Sequence, residues 1–288
     1  MIIVITGPTG VGKTKLSLSL AEKYNAEIIN ADAMQIYKEM NIGTAKVSDT
    51  KGIPHHLLSI KSVNEGYSVY EYQKDARKIL DDLISKNKNV IIVGGTGLYI
   101  KALLYDYKFS DEVMYDTYDN LTNEEILEEI NKISKTDIHV NNRKRLVRTL
   151  NRLKNNVPQE ESGNNLIYDN VYFIGLTLER ELLYKRINDR VDEMVEEGLV
   201  EEVKDLYDRG INTIPINTAI GYKELYKYFD NIISLEEGIN LIKRNSRRYA
   251  KRQYTWINNK MAVKWFNINL NDFDKTINEV EKYIEKSN

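Results

Sequence analysis

The segment most able to do chemistry is a glycine-rich stretch close to the N-terminus. It consists of Gly7, Pro8, Thr9, Gly10, Val11, Gly12, Lys13 and Thr14. This spacing, G-x-x-x-x-G-K-[ST], follows a predicted strand and opens a predicted helix, so that backbone N–H groups and the positive helix N-terminus can surround phosphate oxygens. Lys13 adds a cation, and the Thr14 hydroxyl can ligate Mg²⁺. The segment predicts a binding site for a diphosphate or triphosphate, and a chance glycine turn is the alternative interpretation.

Two more polar segments each follow a predicted strand. Asp32 follows Glu27–Asn30, and Thr96 lies in the glycine-rich stretch after Val90–Val93. Ligands of open α/β sheets bind beyond the carboxyl ends of the strands, so Asp32 is expected beside the phosphate loop. Asp32 can act as a general base, hold Mg²⁺ through water or cap a helix, whereas Thr96 can bind a substrate or belong to an ordinary turn. The spacing leaves these alternatives open.

Positive charge is concentrated in two segments, although the net charge of the chain is −2. On a helix, Arg145, Arg148 and Arg152 share one side, and the segment Lys243–Arg252 carries cations at positions i, i+4 and i+8. Such stripes are suited to a nucleic-acid backbone, and a solvated helix face is the alternative.

A further pair of cations lies between these stripes, where Arg186 and Arg190 are four residues apart. On a helix the two guanidinium groups can reach one anion together. A surface pair balanced by Asp189 and Asp192 is an equally good interpretation of the sequence.

The histidines do not indicate a metal site. His55 and His56 are adjacent, but no third ligand follows at a useful spacing, and His139 is isolated. A structural role is therefore favoured for all three.

Short apolar runs alternate with helical patterns over the first third of the chain. Runs rich in Ile, Val and Leu are typical of parallel strands buried on both faces. The predicted strands are Ile2–Thr6, Glu27–Asn30, His56–Ile60, Val90–Val93 and Val171–Leu178, and the clearest predicted helices are Lys13–Tyr24 and Tyr70–Lys86. The alternation predicts an α/β fold with a P-loop NTPase-like doubly wound parallel sheet. After Val171–Leu178 the chain is predicted to be helical, with one loop near Ile211–Thr218.

One stretch interrupts this alternation. Residues 108–142 are acidic, helical in pattern and poor in strand signals, and they include Asp111, Glu112, Asp116 and Glu124. We therefore expect a small helical insertion at 108–142, with residues 1–107 and 143–288 forming a catalytic core and its C-terminal helices.

Composition excludes several classes of protein and site. The 288 residues include no cysteine, which excludes disulfides, a thiolate nucleophile and cysteine metal ligands. No apolar run is long enough to cross a bilayer, so no membrane partner is expected. Met1–Ile5 is apolar but runs into the glycine loop without a basic leader, so it is expected to be a strand and not a signal peptide. These features predict a cytoplasmic location.

In their order and spacing, the motifs resemble the tRNA dimethylallyltransferase family, also called tRNA isopentenyltransferases or IPP transferases, over nearly the whole chain. The matching segments are Gly7–Thr14, Asp32–Tyr37, Met40–Lys46, Pro54–Leu57, Gly94–Tyr99, Arg145–Leu150, Ile220–Glu224 and Ala250–Trp256. In this chain Ala33 stands where the family usually has serine, so this position has no hydroxyl to offer a substrate.

The resemblance implies an alkyl transfer. A dimethylallyl group would move from dimethylallyl diphosphate to N6 of adenosine 37 of tRNA, beside the anticodon, and diphosphate would be released. The phosphate loop would hold the diphosphate of this donor rather than ATP, with help from Mg²⁺ and Arg190. Asp32 would be the general base, and Thr96 would line the channel in which the donor meets the flipped-out base.

The resemblance also implies a set of tRNA contacts. The insertion would grip the anticodon stem-loop, and we expect the protein to act as a monomer. The residues implied to contact tRNA are Asp32, Ala33, Met34, Gln35, Thr96, Lys144, Arg145, Leu146, Val147, Arg148, Thr218, Ala219, Ile220, Gly221, Tyr222 and Lys223.

Three other functions are compatible with parts of the sequence. A nucleotide-kinase-like phosphotransferase shares the loop and the sheet, and it would turn over ATP with a small acceptor. A prenyltransferase acting on free AMP would not need an insertion that grips RNA. A non-catalytic RNA-binding protein would bind RNA without consuming a prenyl donor.

Overall fold

The computed structural model of the chain describes residues 1–109, 116–157 and 163–287. The chain divides into two compact units. The first, called the core unit below, comprises Met1–Leu104 and Ile167–Asn288. The second, called the inserted unit, comprises Tyr105–Leu166.

The core unit is built on a parallel sheet. Its strands are β1 (Ile2–Thr6), β2 (Ala26–Asn30), β3 (His55–His56), β4 (Asn89–Val93), β5 (Val171–Thr177) and β6 (Lys264–Asn267). Over the described residues the strand order is β3-β2-β4-β1-β5-β6. Every side chain of β1 is buried, which explains its unbroken apolar sequence.

The strand order brings three strand ends together. Val93 of β4 pairs with Ile5 of β1 on one side and with Asn30 of β2 on the other. The carboxyl ends of β1, β4 and β2 are therefore adjacent, and ligands of such sheets bind at this edge. As expected from the sequence, the phosphate loop and Asp32 follow two of these ends.

The helices follow the strands in chain order. They are α1 (Lys13–Tyr24), α2 (Val69–Ser85), α3 (Gly97–Leu104), α4 (Asn123–Ile133), α5 (Arg143–Lys154), α6 (Arg180–Glu196), α7 (Leu199–Asp208), α8 (Ile214–Thr218), α9 (Tyr222–Phe229), α10 (Leu235–Lys260) and α11 (Phe273–Ser287). Among the helices of the described ranges, none combines the length and apolar character needed to cross a membrane.

Local sequence decides how these helices begin. Ser68 and Ser234 precede α2 and α10, and each forms a capping box with a glutamate three residues later. α1 begins differently, because Gly12 has a left-handed conformation and gives no side-chain cap. The first N–H groups of α1 are therefore left for a ligand.

The predicted α/β fold is confirmed, and three local predictions are wrong. The strand predicted at His56–Ile60 ends at His56, because Leu57 and Ser59 have φ angles of 57° and 54°, outside the β region. The stretch after β5 is not wholly helical, since it contains β6, an edge strand in which only Phe266 is buried. The loop predicted near Ile211–Thr218 contains α8, which has a proline in its first turn.

The inserted unit has its own apolar core. Ile126 and Ile130 of α4 are fully buried together with Leu146 and Leu150 of α5. This packing explains why the unit is longer than the insertion predicted at 108–142. The boundary predicted at residue 142 placed α5 in the core, whereas its leucines pack on α4. Asp111 and Glu112 lie outside the described residues.

Candidate active site

The phosphate loop connects β1 to α1 in a conformation that needs glycine. Gly7 has a φ of 139°, and a Cβ atom at this position would lie 2.4 Å from the carbonyl oxygen of Leu176 on β5. An alanine here would therefore displace the loop from the sheet.

Lys13 is folded over this loop. Its Nζ donates to the carbonyl oxygens of Gly7, at 3.0 Å, and Pro8, at 2.8 Å. Burial lowers the pKa of Lys13 to about 8, although the Asp32 carboxylate opposes this shift, and the nearby Arg190 lowers the pKa further. The ammonium group is thus a partly desolvated cation, which interacts more strongly with an anion than an exposed lysine does.

Asp32 is held at the end of β2 by a short network. Its backbone N–H donates to Oδ1 of the buried Asn30 at 3.0 Å, and its own Oδ1 accepts the N–H of Met34 at 3.0 Å. The residues that follow form turns, not a helix, so the helix-capping interpretation of Asp32 is wrong. Burial raises the pKa of Asp32, while the Met34 N–H and the Lys13 charge act in the opposite direction.

Thr96 is hydrogen-bonded to the residues on either side of Asp32. Its Oγ1 accepts the N–H of Ala33 at 3.1 Å, and its own N–H donates to the Ala31 carbonyl oxygen at 3.1 Å. Thr96 therefore ties the end of β4 to the end of β2. In the described part of the chain, it is not among the residues that line the cavity described below.

The inner face of α10 holds the phosphate loop. Gln253 accepts the N–H of Thr9 at 3.0 Å through Oε1 and donates to the Gly95 carbonyl oxygen at 3.1 Å through Nε2. Tyr249, one turn earlier, interacts with the side chains of Thr96 and Gln253. Neither residue was predicted as a site residue, because the prediction for the stripe Lys243–Arg252 concerned only its cations. The signal available for Gln253 was its place in the matching segment Ala250–Trp256, directly after the last cation of the stripe.

These groups surround a cavity of about 440 Å³, a volume in the usual range for ligand sites. The predicted site residues that line it are Thr9, Gly10, Gly12, Lys13, Thr14, Asp32, Met34, Gln35, Arg190, Thr218, Ala219, Ile220, Gly221 and Lys223. Lining residues that the predictions did not include are Gly43, Thr44, Ala45, Arg186, Tyr249, Arg252 and Gln253, among others.

The arginine pair of α6 belongs to this cavity. Arg186 Nε donates to the Gly10 carbonyl oxygen at 3.1 Å, and Arg190 lines the cavity. Burial lowers the pKa of Arg190, and the Glu193 carboxylate opposes this shift. Of the two carboxylates in the alternative of a balanced surface pair, Asp192 pairs with Lys243 at 2.6 Å, and the joint binding of one anion by the two arginines stays a prediction.

Several other predicted residues do not line the cavity. Gly7, Pro8 and Val11 are the buried residues of the phosphate loop that do not line the cavity, and Ala33 donates its N–H to Thr96. The ring of Tyr222 is fully buried, and its hydroxyl donates to Oε1 of Glu202 at 2.6 Å. Its side chain is therefore engaged inside the protein.

The basic segment of the inserted unit lies on α5. Lys144, Arg145 and Arg148 are exposed, Val147 is half-buried, and Leu146 is fully buried. The exposed cations can meet a phosphate backbone, whereas Leu146 packs in the core of this unit.

The histidines have local partners. His56 Nε2 lies 2.8 Å from Oε2 of Glu27, and His55 Nδ1 lies 2.8 Å from the Ile53 carbonyl oxygen. Among the residues that the structure describes, there is no group of three or more histidine, cysteine or acidic side chains that could hold a metal. His55 also lines the cavity, and the structural role favoured for the histidines stays a prediction.

The match to a family model and the similarity to relatives of known name indicate the same family. The family model described as IPP transferase matches residues 35–260. A protein of Anoxybacillus flavithermus named tRNA dimethylallyltransferase is 48% identical over 99% of this chain and 96% of its own length. A protein of the same name from Bacillus mycoides is 46% identical over 99% of this chain and 94% of its own length.

Solved structures of tRNA isopentenyltransferases and dimethylallyltransferases are also similar to this chain. The full-length tRNA isopentenylpyrophosphate transferase of Bacillus halodurans is 40% identical and has a TM-score of 0.77, over 99% of this chain and 95% of the other. A eukaryotic dimethylallyltransferase that acts on tRNA is 29% identical with a TM-score of 0.77, over 97% of this chain and 77% of the other.

Proposed function

Because this chain belongs to the IPP transferase family, we propose that it transfers a dimethylallyl group from dimethylallyl diphosphate to N6 of adenosine 37 of tRNA. One observation carries the proposal in physical terms. A single cavity is lined by a phosphate loop with its lysine and by a carboxylate whose pKa is raised, Asp32. Such a cavity suits a diphosphate leaving group on one side and a proton acceptor on the other.

The phosphate loop would bind the donor. Phosphate oxygens would take the place of the two carbonyl groups that now accept from Lys13, and the first N–H groups of α1 would add donors. Arg190, on the wall of the same cavity, would add a second cation. Charge develops on the diphosphate as its bond to the dimethylallyl carbon breaks, and these groups would stabilise that charge.

Asp32 would act on the acceptor. As the N6–carbon bond forms, the amine must lose a proton, and the Asp32 carboxylate would take it. The raised pKa suits this role, because a base works best when its pKa is not far below the working pH. The adenosine must leave its stack to reach the cavity, as bases generally must in enzymes that modify them.

The residues present fit Mg²⁺ as a cofactor. Thr14 is exposed and lines the cavity, so it can offer a hydroxyl there, and Asp32 adds a carboxylate that can act through water. Both are hard oxygen donors of the kind that Mg²⁺ prefers, and Mg²⁺ commonly takes its remaining ligands from water and substrate phosphates. When bound, the ion would neutralise charge on the diphosphate, and Thr14 would hold it.

The tRNA would be met by several segments. We assign Gln35 and the stretch Thr218–Lys223 to the region around the target base, and the exposed cations of α5 to the anticodon stem. The protein would act in the cytoplasm, and we expect it to act as a monomer.

The direct test is mass spectrometry of oligonucleotide fragments from unmodified tRNA after incubation with the protein, Mg²⁺ and dimethylallyl diphosphate, because fragments show which adenosine is modified. One dimethylallyl group on adenosine 37 is expected, and the product should be absent in Lys13→Ala. Transfer to free AMP but not to tRNA, turnover of ATP with a small acceptor, or RNA binding without consumption of the donor would each replace the proposal with one of its rivals.

A further inference from the structure

A glutamate outside the predicted site joins two parts of the cavity wall. Glu202 lies in the first turns of α7, and its carboxylate accepts three successive backbone N–H groups. These come from Asn41 at 3.0 Å, Ile42 at 2.9 Å and Gly43 at 3.1 Å. Hydrogen bonds to a charged acceptor are roughly twice as strong as neutral ones, so this loop is held firmly.

The same carboxylate holds the start of α9. Oε1 of Glu202 accepts both the Gly43 N–H and the hydroxyl of Tyr222, the latter at 2.6 Å. Gly43 lies directly against the buried Tyr222 ring, because a Cβ atom on Gly43 would lie 2.5 Å from Cε2 of that ring. The loop and the helix can approach this closely only with glycine at position 43.

Glu202 holds two segments that each contribute to the cavity wall. Gly43, Thr44 and Ala45 line the cavity, and Gln35 Nε2 donates to the Thr44 carbonyl oxygen at 3.0 Å. On the other side of Glu202, the stretch Thr218–Gly221 lines the cavity directly before Tyr222. The stretch Thr218–Gly221 was assigned above to the target base, and Gly43–Ala45 is hydrogen-bonded to Gln35, which was assigned to the same region. The phosphate loop, by contrast, is held by Gln253 and Arg186.

We propose that Glu202 is a positioning residue for the acceptor base. It does not line the cavity within the described residues, but it fixes the Gly43–Ala45 wall against the Thr218–Gly221 wall, between which the adenosine must be held in reach of Asp32. This inference rests on the proposed function. It predicts that loss of the Glu202 bonds impairs use of tRNA and leaves use of the prenyl donor intact.

The test is kinetic, with both substrates varied in turn. Glu202→Gln keeps the volume of the side chain but replaces one acceptor oxygen with an amide NH₂, which cannot accept the N–H or hydroxyl groups that now meet there. We expect kcat/KM for tRNA to fall about 10- to 100-fold, the usual range for broken hydrogen bonds to a charged group, with an unchanged KM for dimethylallyl diphosphate. The matched control is Glu201→Gln, an exposed neighbour on α7, which should behave as the parent.

A second variant keeps the test valid if Glu202→Gln folds poorly. Tyr222→Phe preserves the buried ring and removes one bond to Glu202, so it should change the tRNA parameters in the same direction by a smaller factor. Combining it with Glu202→Gln should add little, because both changes break the same bond. A folded Glu202→Gln protein with parental tRNA kinetics, or an equal loss for both substrates, would overturn the proposal.

Failure of the proposed function would be recognised separately. If the parent does not modify tRNA, amide hydrogen exchange at residues 41–43 still measures how firmly the Glu202 carboxylate holds these N–H groups. Faster exchange in Glu202→Gln, but not in Glu201→Gln, would show that Glu202 holds this loop even though the proposed tRNA activity is absent. Unchanged exchange in Glu202→Gln would show that Glu202 does not hold the loop either, and would overturn this proposal as well as the proposed function.

Discussion

The two basic helices of this protein use their charge in different ways. On α5, Lys144, Arg145 and Arg148 are exposed, and the opposite side of the helix packs in the inserted unit through Leu146 and Leu150. These cations are therefore displayed on a surface, where a long polyanion can reach them.

On α10, part of the charge is used within the protein. Lys243 pairs with Asp192, and Arg247 donates to Oδ1 of Asn188 on α6. The inner face of the same helix brings Gln253 to the phosphate loop. Although both helices carry cations at helical spacing, only the packing of each helix shows whether its polar face meets solvent or the active site. Substitutions of individual side chains should distinguish cations that meet tRNA at the surface from side chains that support the active site.

The largest effect is expected from Asp32, which lies near Tyr249 on the inner face of α10. Asp32→Ala should reduce transfer about 10²- to 10⁴-fold, the usual contribution of a general base, with both substrates still bound. Single-turnover assays with separate binding titrations measure this. Because burial raises the pKa of Asp32, transfer by the parent should also fall with decreasing pH sooner than an exposed aspartate would allow.

Asp205→Ala is the control for this prediction. Asp205 is an exposed carboxylate that pairs with Arg209 on the surface of α7. The Asp205→Ala variant should transfer the dimethylallyl group at the rate of the parent. An Asp32→Ala protein that keeps transfer to within about threefold of the parent would remove Asp32 from the chemistry.

The next largest effect should come from the inner face of α10. Gln253→Ala removes the acceptor of the Thr9 N–H and the donor to Gly95, so the phosphate loop is no longer supported by α10. A decrease of about 10-fold or more in kcat/KM for the donor is expected from two broken hydrogen bonds. The salt dependence of tRNA use should not change. Thr255→Ala, at an exposed position of the same helix, is the control, and equal behaviour of the two variants would contradict the role of this face.

A smaller and different effect is expected on α5. Replacing Arg145 and Arg148 with alanine should raise KM for tRNA and flatten its salt dependence by about one unit of slope for each phosphate that is no longer neutralised. The KM for the donor should not change, and the fold should persist because Leu146 and Leu150 still pack.

Measuring both constants at two salt concentrations decides this prediction. Lys132→Ala is the control within the inserted unit, since Lys132 already pairs with Glu129. An unchanged slope in a folded double variant would show that the cations of α5 form only a solvated face.

The smallest effect is expected from Lys243 on α10. Its ammonium already pairs with Asp192 at 2.6 Å, and a partly exposed pair of this kind contributes about 0–1 kcal/mol to stability. Lys243→Ala should lower the melting temperature slightly and leave the salt slope for tRNA unchanged. If the slope falls as much as in the α5 variant, the difference between the two helices does not hold.

Local sequence determined the parts of this protein that depend on neighbouring residues. The phosphate loop is a run of eight residues whose glycines, lysine and threonine already specify its chemistry. The strands of the sheet interior, such as Ile2–Thr6, could be predicted because burial on both faces requires an unbroken apolar run. Their parallel order then implied that Asp32 would follow a strand end at the ligand-binding edge.

Only the tertiary structure decided the contacts between distant segments. Gln253 is 244 residues from Thr9, and Glu202 is 161 residues from Asn41. No periodicity in the sequence marks such pairs, because a hydrogen bond depends on where two side chains lie in space and not on what surrounds each one in the chain. The same reason explains α5, whose basic residues indicated its charge while the packing of Leu146 and Leu150 decided which unit it joined.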